Sequence, residues 1–254
     1  MKYFVVSDVH GYHNELIEVL VKAGFDSSKD TLISLGDAID RGPQSIETVR
    51  YFMGLKNKIL IQGNHEDLLN EYNPSTPTEA DFHNGTALTH NQFSMRGEMD
   101  LWKDYQAVTV NAIEIGDYIL THGYLPCNKL NIIPGSPYEL NCNWRNANKV
   151  AWENARWLNG MYIGDFQKIP QIEDNKKVVV GHYHASYGNV RKNNPYMPEA
   201  WYTKREFEAR HNGTFEIYFG KNVIGIDGCT AWTRIVNVFV FESDAEPIIY
   251  KREV

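Results

Sequence analysis

The chain has 254 residues, 43% of them apolar and 22% charged, with a formal charge of −7 at pH 7. That composition suits one soluble globular core and excludes a general binder of nucleic-acid backbones, which needs a cationic face. Cys127, Cys142 and Cys229 show no Cys-x-x-Cys spacing, so a disulfide framework and a zinc knuckle are both unexpected and a reducing cytoplasm is the expected compartment.

Phe4-Val5-Val6-Ser7 reads as a buried strand that stops at Asp8-Val9-His10-Gly11. Because this strand begins at residue 4 and is too short for a signal h-region, no leader is expected, and no apolar run is long enough to span a membrane. Leu16, Ile17, Leu20 and Val21 then recur at helical spacing over residues 14–23, with Gly24 as the helix stop. His13, at the start of that helix, is read as solvated or capping.

Thr31 to Leu35 form a second strand, which ends in Gly36-Asp37-Ala38-Ile39-Asp40-Arg41-Gly42. Two carboxylates at a strand end serve no packing purpose, and burying them unpaired costs several kcal/mol. A cation is therefore expected beside Asp37, because Arg41 adjoins Asp40 and cannot satisfy both. Pro43 opens a helix over 44–53, with Ile46, Val49, Phe52 and Met53 on one face. Ile59 to Gln62 lead into Gly63-Asn64-His65-Glu66. Strand and helix alternating through the first seventy residues predict a parallel α/β sheet.

Residues 66–106 are broken by Asn73-Pro74 and Pro77 and otherwise look helical and polar, so they are expected to form a helical cap, with His83 and His90 on its surface. A strand over 108–115 turns at Gly116-Asp117 into Tyr118–Thr121, which runs into His122-Gly123. Residues 126–146 read as irregular, and 148–159 as a helix carrying Trp152 and Trp157, both assigned to the core, around Arg156. Val178 to Val180 lead into Gly181-His182-Tyr183-His184. Residues 185–214 carry aromatic and basic side chains, Arg191 and Lys192 among them, and are expected to form a long loop acting as a substrate lid. Strands are expected over 215–219, 223–226, 234–241 and 247–250.

Five strands thus end in Asp, His or Asn beside glycine. Such ligand types repeated along one sheet edge suit a transition metal. The set Asp-x-His-Gly, Gly-Asp-x-x-Asp-Arg-Gly, Gly-Asn-His-Glu and Gly-His-x-His, spanning residues 8–184, resembles the calcineurin-like metallophosphoesterase superfamily. Within it, the chain looks most like the phosphoprotein phosphatase branch, in length similar to bacteriophage lambda-type phosphatases and symmetrical bis(5′-nucleosyl)-tetraphosphatases. The resemblance implies a single α/β domain over 1–254, two packed mixed β-sheets flanked by helices in an α/β/β/α sandwich.

It also implies two divalent metal ions, Mn²⁺ first with Fe or Zn²⁺ as alternatives. Asp8, His10 and His184 would hold one, Asn64, His122 and His182 the other, and Asp37 would bridge both. His65 would protonate the leaving oxygen while Asp40 orients it, and Arg41 would grip phosphate, with Arg156 preferred to Arg145 as the second phosphate-binding arginine. Gln62 stands where that branch commonly has arginine, and Tyr124 follows His122-Gly123 where a second glycine is common. The implied activity is hydrolysis of phosphomonoesters, phosphoserine and phosphothreonine in proteins among them, by in-line attack of a metal-bound hydroxide. The alternatives are a dinucleoside polyphosphate hydrolase and, in another class, a non-catalytic scaffold of the same fold. The expected partner is a phosphorylated small molecule or phosphoprotein, not nucleic acid or membrane.

Overall fold

The computed structural model describes residues 1–130, 136–171, 173, 175–192 and 214–252. Strands β1 (Lys2–Val6), β2 (Thr31–Ser34), β3 (Lys58–Leu60) and β11 (Phe239–Glu242) form a first sheet in the order β11-β1-β2-β3. β4 (Val110–Ile115), β5 (Tyr118–Thr121), β8 (Lys177–His184), β9 (Tyr218–Phe219), β10 (Val223–Asp227) and β12 (Ile248–Lys251) form a second, ordered β12-β4-β5-β8-β10-β9. A separate hairpin pairs β6 (Cys127–Lys129) with β7 (Tyr138–Leu140).

Alternation along the strands sorts side chains into three apolar layers. Tyr3, Val5, Ile33, Leu35 and Ile61 meet Ile113, Leu120, Val179, Ile224 and Ile226 between the sheets. Phe4, Val6 and Leu32 turn the other way, onto α1 (His13–Ala23), α2 (Ser45–Gly54), α5 (Thr86–Met95) and α6 (Met99–Val108). On the far side Val178, Val180 and Val223 pack on Trp144, Trp152 and Met161, and on Tyr187 of α8 (Ala185–Lys192). The four-layer sandwich expected from the sequence is therefore the observed fold. β1, β2 and β3 run parallel, as do β5, β8 and β10, so both sheets deliver their C-terminal ends to one edge.

Several element boundaries differ from the sequence reading. Residues 66–106 give α3 (Asn64–Glu71), α4 (Glu79–Asn84), α5 and α6, but Phe93, Trp102 and Tyr105 bury their rings in the first core, so these helices are as much flank as cap. The stretch expected to be irregular contains the β6–β7 hairpin. Helix α7 (Lys149–Ala155) stops short of the expected 159, a π-helical turn follows over Tyr162–Phe166, and the strand expected at 234 starts at Phe239, because α9 (Thr230–Thr233) ends on Arg234 in the left-handed region. The lid reading covers α8 and residues 193–213; the latter lie outside the described residues. Arg191 is buried over the Tyr187 ring, 3.4 Å from its centroid.

One ion cluster ties the second sheet to its flank. Glu114 of β4 is buried and accepts from Arg145 Nε (2.8 Å), Lys176 Nζ (2.7 Å) and the Tyr250 hydroxyl. Burial pushes its carboxyl up, but these bonds outweigh burial and hold it down at about 2, against an ordinary 4.5. A depressed carboxyl stabilises the fold above its unfolded value and loses that contribution as pH falls toward its folded one. Glu114→Gln should therefore lower the melting temperature by several degrees at pH 7. The gap to wild type should narrow as pH falls below about 4.5, which thermal melts from pH 7 to 3 would read directly.

Candidate active site

The turn after β1 and the turn after β2 are laced together by backbone bonds. Leu35 N–H donates to Val6 O (2.9 Å), Asp8 N–H to Gly36 O (3.1 Å), His10 N–H to Asp37 O (2.9 Å) and Gly11 N–H to Ala38 O (2.9 Å). This lacing holds Asp8, His10, Asp37, Asp40 and Arg41 at φ between 50° and 70°, and His182 on β8 sits at 63°. The left-handed region costs a non-glycine residue roughly 1–2 kcal/mol, and it concentrates here on side chains that must double back toward one point. The second sheet comes in at Gly181. A Cβ there would overlap the Ser7 hydroxyl and an Asp8 carboxylate oxygen, so glycine is what lets the His182 strand close on the first sheet.

Asp37 stands at the centre. Oδ2 lies 3.8 Å from His10 Nε2 and 4.0 Å from His65 Nε2, and Oδ1 lies 3.5 Å from His122 Nε2. Two clusters share it: His10, Asp37 and His65 on one side, Asp37, His122 and His182 on the other. The imidazoles are turned by the backbone. His10 Nδ1 pairs with Ile39 O (2.9 Å) and His122 Nδ1 with Leu35 O (2.8 Å), while the His182 ring lies against those of His122 and Trp157. With those nitrogens spent on carbonyls, the lone pairs of His10 Nε2 and His122 Nε2 face inward. His122 Nε2 meets another acceptor, Asn64 Oδ1, at 2.8 Å.

Beside this lies a second constellation. His65 Nδ1 bonds Asp40 Oδ2 at 2.8 Å, and that oxygen also accepts from Thr86 Oγ1 at 2.9 Å. Thr86 opens α5 and is fully buried. The preceding Gly85 (φ +90°) lies so close that a Cβ would stand 2.6 Å from Arg41 N. The helical insertion thus reaches the Asp40–Arg41 turn itself. Arg41 forks across two rings, NH1 to His10 Nε2 and NH2 to His65 Nε2, both at 3.0 Å. Glu66, buried in the first turn of α3, accepts from the backbone N–H groups of Asp37 (2.9 Å), Ala38 (2.8 Å) and Gly63 (2.9 Å), which fixes the Asp37 turn against α3. Asp37 Oδ1 accepts from His65 N–H at 3.0 Å.

The electrostatics are one-sided. Burial and the charge of Asp227 push Asp8 well up; burial and the charges of Asp8 and Glu66 do the same to Asp37. Burial pushes His10 and His122 well down, and His182 to about 3. Buried carboxylates that repel one another, facing imidazole lone pairs with no proton to share, form a convergent set of acceptors. Divalent cations fit such a set: a bound cation would favour the ionised form of each carboxylate, reversing its upward shift, and would hold the imidazoles in the unprotonated form they already favour. Arg41 is the one cationic group seen bridging His10 and His65.

The structure brings together Asp8, His10, Asp37, Asn64, His65, His122 and His182, with Asp40 and Arg41 against them. Asp8, bonded to the His182 backbone N–H, and His184, with Nε2 3.9 Å from Asp227 Oδ2, lie outside both clusters. Arg156 is buried with both terminal nitrogens engaged, NH1 on Asp67 (2.5 Å) and NH2 on Asn111 (2.8 Å), which commits it to joining α3 and β4. The sequence reading missed Asp227, Glu66 and Thr86. Asp227 had a signal: Val223–Ile226 followed by Asp227-Gly228 repeats the pattern of the other strand ends. It is buried, with its carboxyl raised by burial to about 6. Thr86 had none, since nothing local says that a helix start forty-six positions away will meet Asp40.

The profile of the calcineurin-like phosphoesterase family matches residues 1–220. Two curated relatives are named symmetrical bis(5′-nucleosyl)-tetraphosphatase. That of Klebsiella pneumoniae (strain 342) is 43% identical over 67 residues, 26% of this chain and 24% of the relative. That of Coxiella burnetii (strain Dugway 5J108-111) is 40% identical over 63 residues, 25% of this chain and 22% of the relative. The chain thus spans about a quarter of the length of these relatives. Among solved structures, a metallophosphoesterase from Sphaerobacter thermophilus superposes with a TM-score of 0.50 at 18% identity, covering 100% of this chain and 88% of that one, a likeness of fold.

If Asp37 is shared between two cations, Mn²⁺ should raise the melting temperature of the wild-type chain, and two ions per chain should be measured after desalting. Asp37→Asn should bind fewer than two, because a neutral amide cannot give an anionic oxygen to each of two ions. An Asp37→Asn protein that retains both would remove Asp37 from the centre.

Proposed function

This chain belongs to the calcineurin-like phosphoesterase family, and we propose that it is a phosphoester hydrolase whose substrates are small phosphorylated molecules of the dinucleoside polyphosphate class. The observation that carries a hydrolytic reading is the Asp37-centred set of inward-facing acceptors with the His65–Asp40 pair against it. A scaffold would have no use for either. The substrate class is supported by the names of the relatives; nothing specific in the site favours a phosphoprotein.

The family uses divalent metals. Asp8, His10 and Asp37 would hold one, with His184 approaching from the Asp227 side; Asp37, Asn64, His122 and His182 would hold the other, with Mn²⁺ the first choice for this mixture of nitrogen and oxygen donors. Two such ions would supply Lewis acidity on the phosphoryl oxygens and a deprotonated water at neutral pH.

The chain's own residues do the rest. Arg41 presents two parallel N–H groups, the geometry that matches two phosphate oxygens. The NH1 arm would be released from His10 Nε2 once that nitrogen holds metal, leaving the fork available to phosphate. His65 carries the proton for the leaving oxygen on Nε2 while Nδ1–H stays on Asp40 Oδ2. Burial pushes His65 below the ordinary imidazole value, and the bond to Asp40 opposes that shift while fixing the ring's orientation. Thr86 holds the Asp40 oxygen that meets His65, so it positions the pair without touching substrate. Arg156 braces the helix that carries Asn64 and His65.

His65→Asn should keep its metal ions and lose about 10²–10⁴ in turnover, the usual worth of general acid catalysis. The loss should shrink on substrates with good leaving groups. Shedding of metal by this variant would make His65 a ligand instead. A panel of diadenosine tetraphosphate, phosphopeptides and an aryl phosphate under Mn²⁺ tests the substrate class, which fails if phosphopeptides turn over faster than the dinucleotide.

Thr86→Val should lower kcat about tenfold with KM and metal content unchanged, taking a hydrogen bond to a charged group at ~1.5–3 kcal/mol. Thr86→Ser, which keeps the donor, should recover most of the loss. If valine and serine behave alike, the hydroxyl does not position Asp40.

A further inference from the structure

Trp102, Trp144 and Trp152 are buried in the apolar layers, as the sequence reading expected of Trp157 as well. Trp157 is instead 50% exposed, five positions after the buried Trp152 of α7. Its indole stands edge-to-face against His182, with ring centroids 5.8 Å apart. Tyr183 packs on His182 as well, at 4.8 Å.

This placement is rigid. Tyr124 N–H donates to Ala155 O (3.0 Å) and Trp157 N–H to Asn154 O (3.2 Å). A Cβ on Gly123 would lie 2.5 Å from both Ala155 O and Arg156 O. The turn after α7 is therefore clamped to the strand end that carries His122, and the Trp157 side chain is held at the rim of the site.

A large apolar ring left half in water beside buried acceptors adds nothing to a core, and exposing its area is unfavourable. What such a face suits is a flat aromatic group arriving with the phosphate. Stacking is tolerant of base identity and is strong enough to affect binding. Arg41 and the acceptor cluster take the phosphate; among the residues shown touching that cluster, the exposed aromatic one is Trp157.

We infer that Trp157 is a stacking platform for a nucleobase of the substrate, next to the scissile phosphate. This rests on the nucleotide reading above for its substrate, and two readouts separate the two ideas. The first is binding: adenosine 5′-monophosphate added to the Mn²⁺-loaded protein quenches indole fluorescence in wild type, while Trp157→Leu loses that component and inorganic phosphate produces none in either. The second is kinetic. Trp157→Ala raises KM for diadenosine tetraphosphate tenfold or more and leaves kcat/KM for tripolyphosphate, which has no base, within about twofold. Trp157→Phe keeps most of the dinucleotide affinity.

Quenching in a wild-type protein that does not cleave the dinucleotide would retain the platform and overturn the substrate reading. Cleavage with no quenching and an unchanged KM in Trp157→Ala would overturn the platform and retain the substrate reading. Parallel losses on both substrates together with weakened Mn²⁺ binding would also overturn the platform, making Trp157 a support for His182.

Discussion

Like charges gathered in a dry place are the constraint on which the rest of this structure depends. Asp8, Asp37, Glu66 and Asp227 are all buried at one edge, and each of Asp8 and Asp37 feels another carboxylate. Isolated, this arrangement costs several kcal/mol per unpaired charge. The chain lowers that cost only in part. Glu66 is satisfied by three backbone N–H groups, Asp8 accepts from His182 N–H (3.0 Å) and Ser7, and Asp227 accepts from Cys229 N–H (2.6 Å). Asp37 retains the oxygen that faces His10 and His65. What the protein leaves uncompensated is localised to one point, and that localisation suits the edge to cations.

Holding the charges there also requires backbone in an unfavourable region. Asp8, His10, Asp37, Asp40, Arg41 and His182 all have φ near +50° to +70°. Asp, Asn and His tolerate this conformation better than most residues, but none adopts it freely. It persists because the surroundings over-determine it: the turns after β1 and β2 bond each other residue by residue, and Glu66 pins the second of them from α3. Strain and ligand placement are the same structural fact, since an extended continuation of either strand would carry the side chains past the point where the two sheets meet.

Much of this was legible in the sequence because the code is local. A short apolar run followed by Asp, His or Asn beside glycine names both a strand and its functional end, and parallel strands bring those ends to one side. The four-layer fold and the convergence of Asp8, His10, Asp37, Asn64, His122 and His182 follow from that pattern and from the family resemblance. What was not legible depended on distance along the chain. Thr86 meets Asp40 through tertiary packing of α5. Arg156 looked like a spare cation beside the site, and only the fold reveals Asp67 and Asn111 against it. Trp157 was assigned to the core because Trp152 is, yet α7 ends at Ala155 and the turn that follows points the next indole outward. The β6–β7 hairpin was missed because its strands are short and carry no alternating pattern.

Gln62 shows how a departure from a family pattern can be absorbed structurally. Its amide nitrogen donates to Asp67 Oδ1 (2.9 Å) and Gln106 Oε1 (3.0 Å), and its oxygen accepts from Thr109 Oγ1 (2.8 Å) and from Arg252 NH1 (2.7 Å). Arg252 belongs to the segment after β12, so a guanidinium from the far end of the chain stands beside the position where an arginine was expected. Asp67, in turn, takes Arg156 on its other oxygen. Arg156 thus braces, through Asp67, the helix that starts with Asn64 and His65, while the half-buried Arg252 bonds Gln62 just before it. A neutral side chain at 62 can bridge them, whereas a third guanidinium there would add like charge to a place already holding two. The glutamine therefore keeps like charge from accumulating beside Arg252 and Arg156.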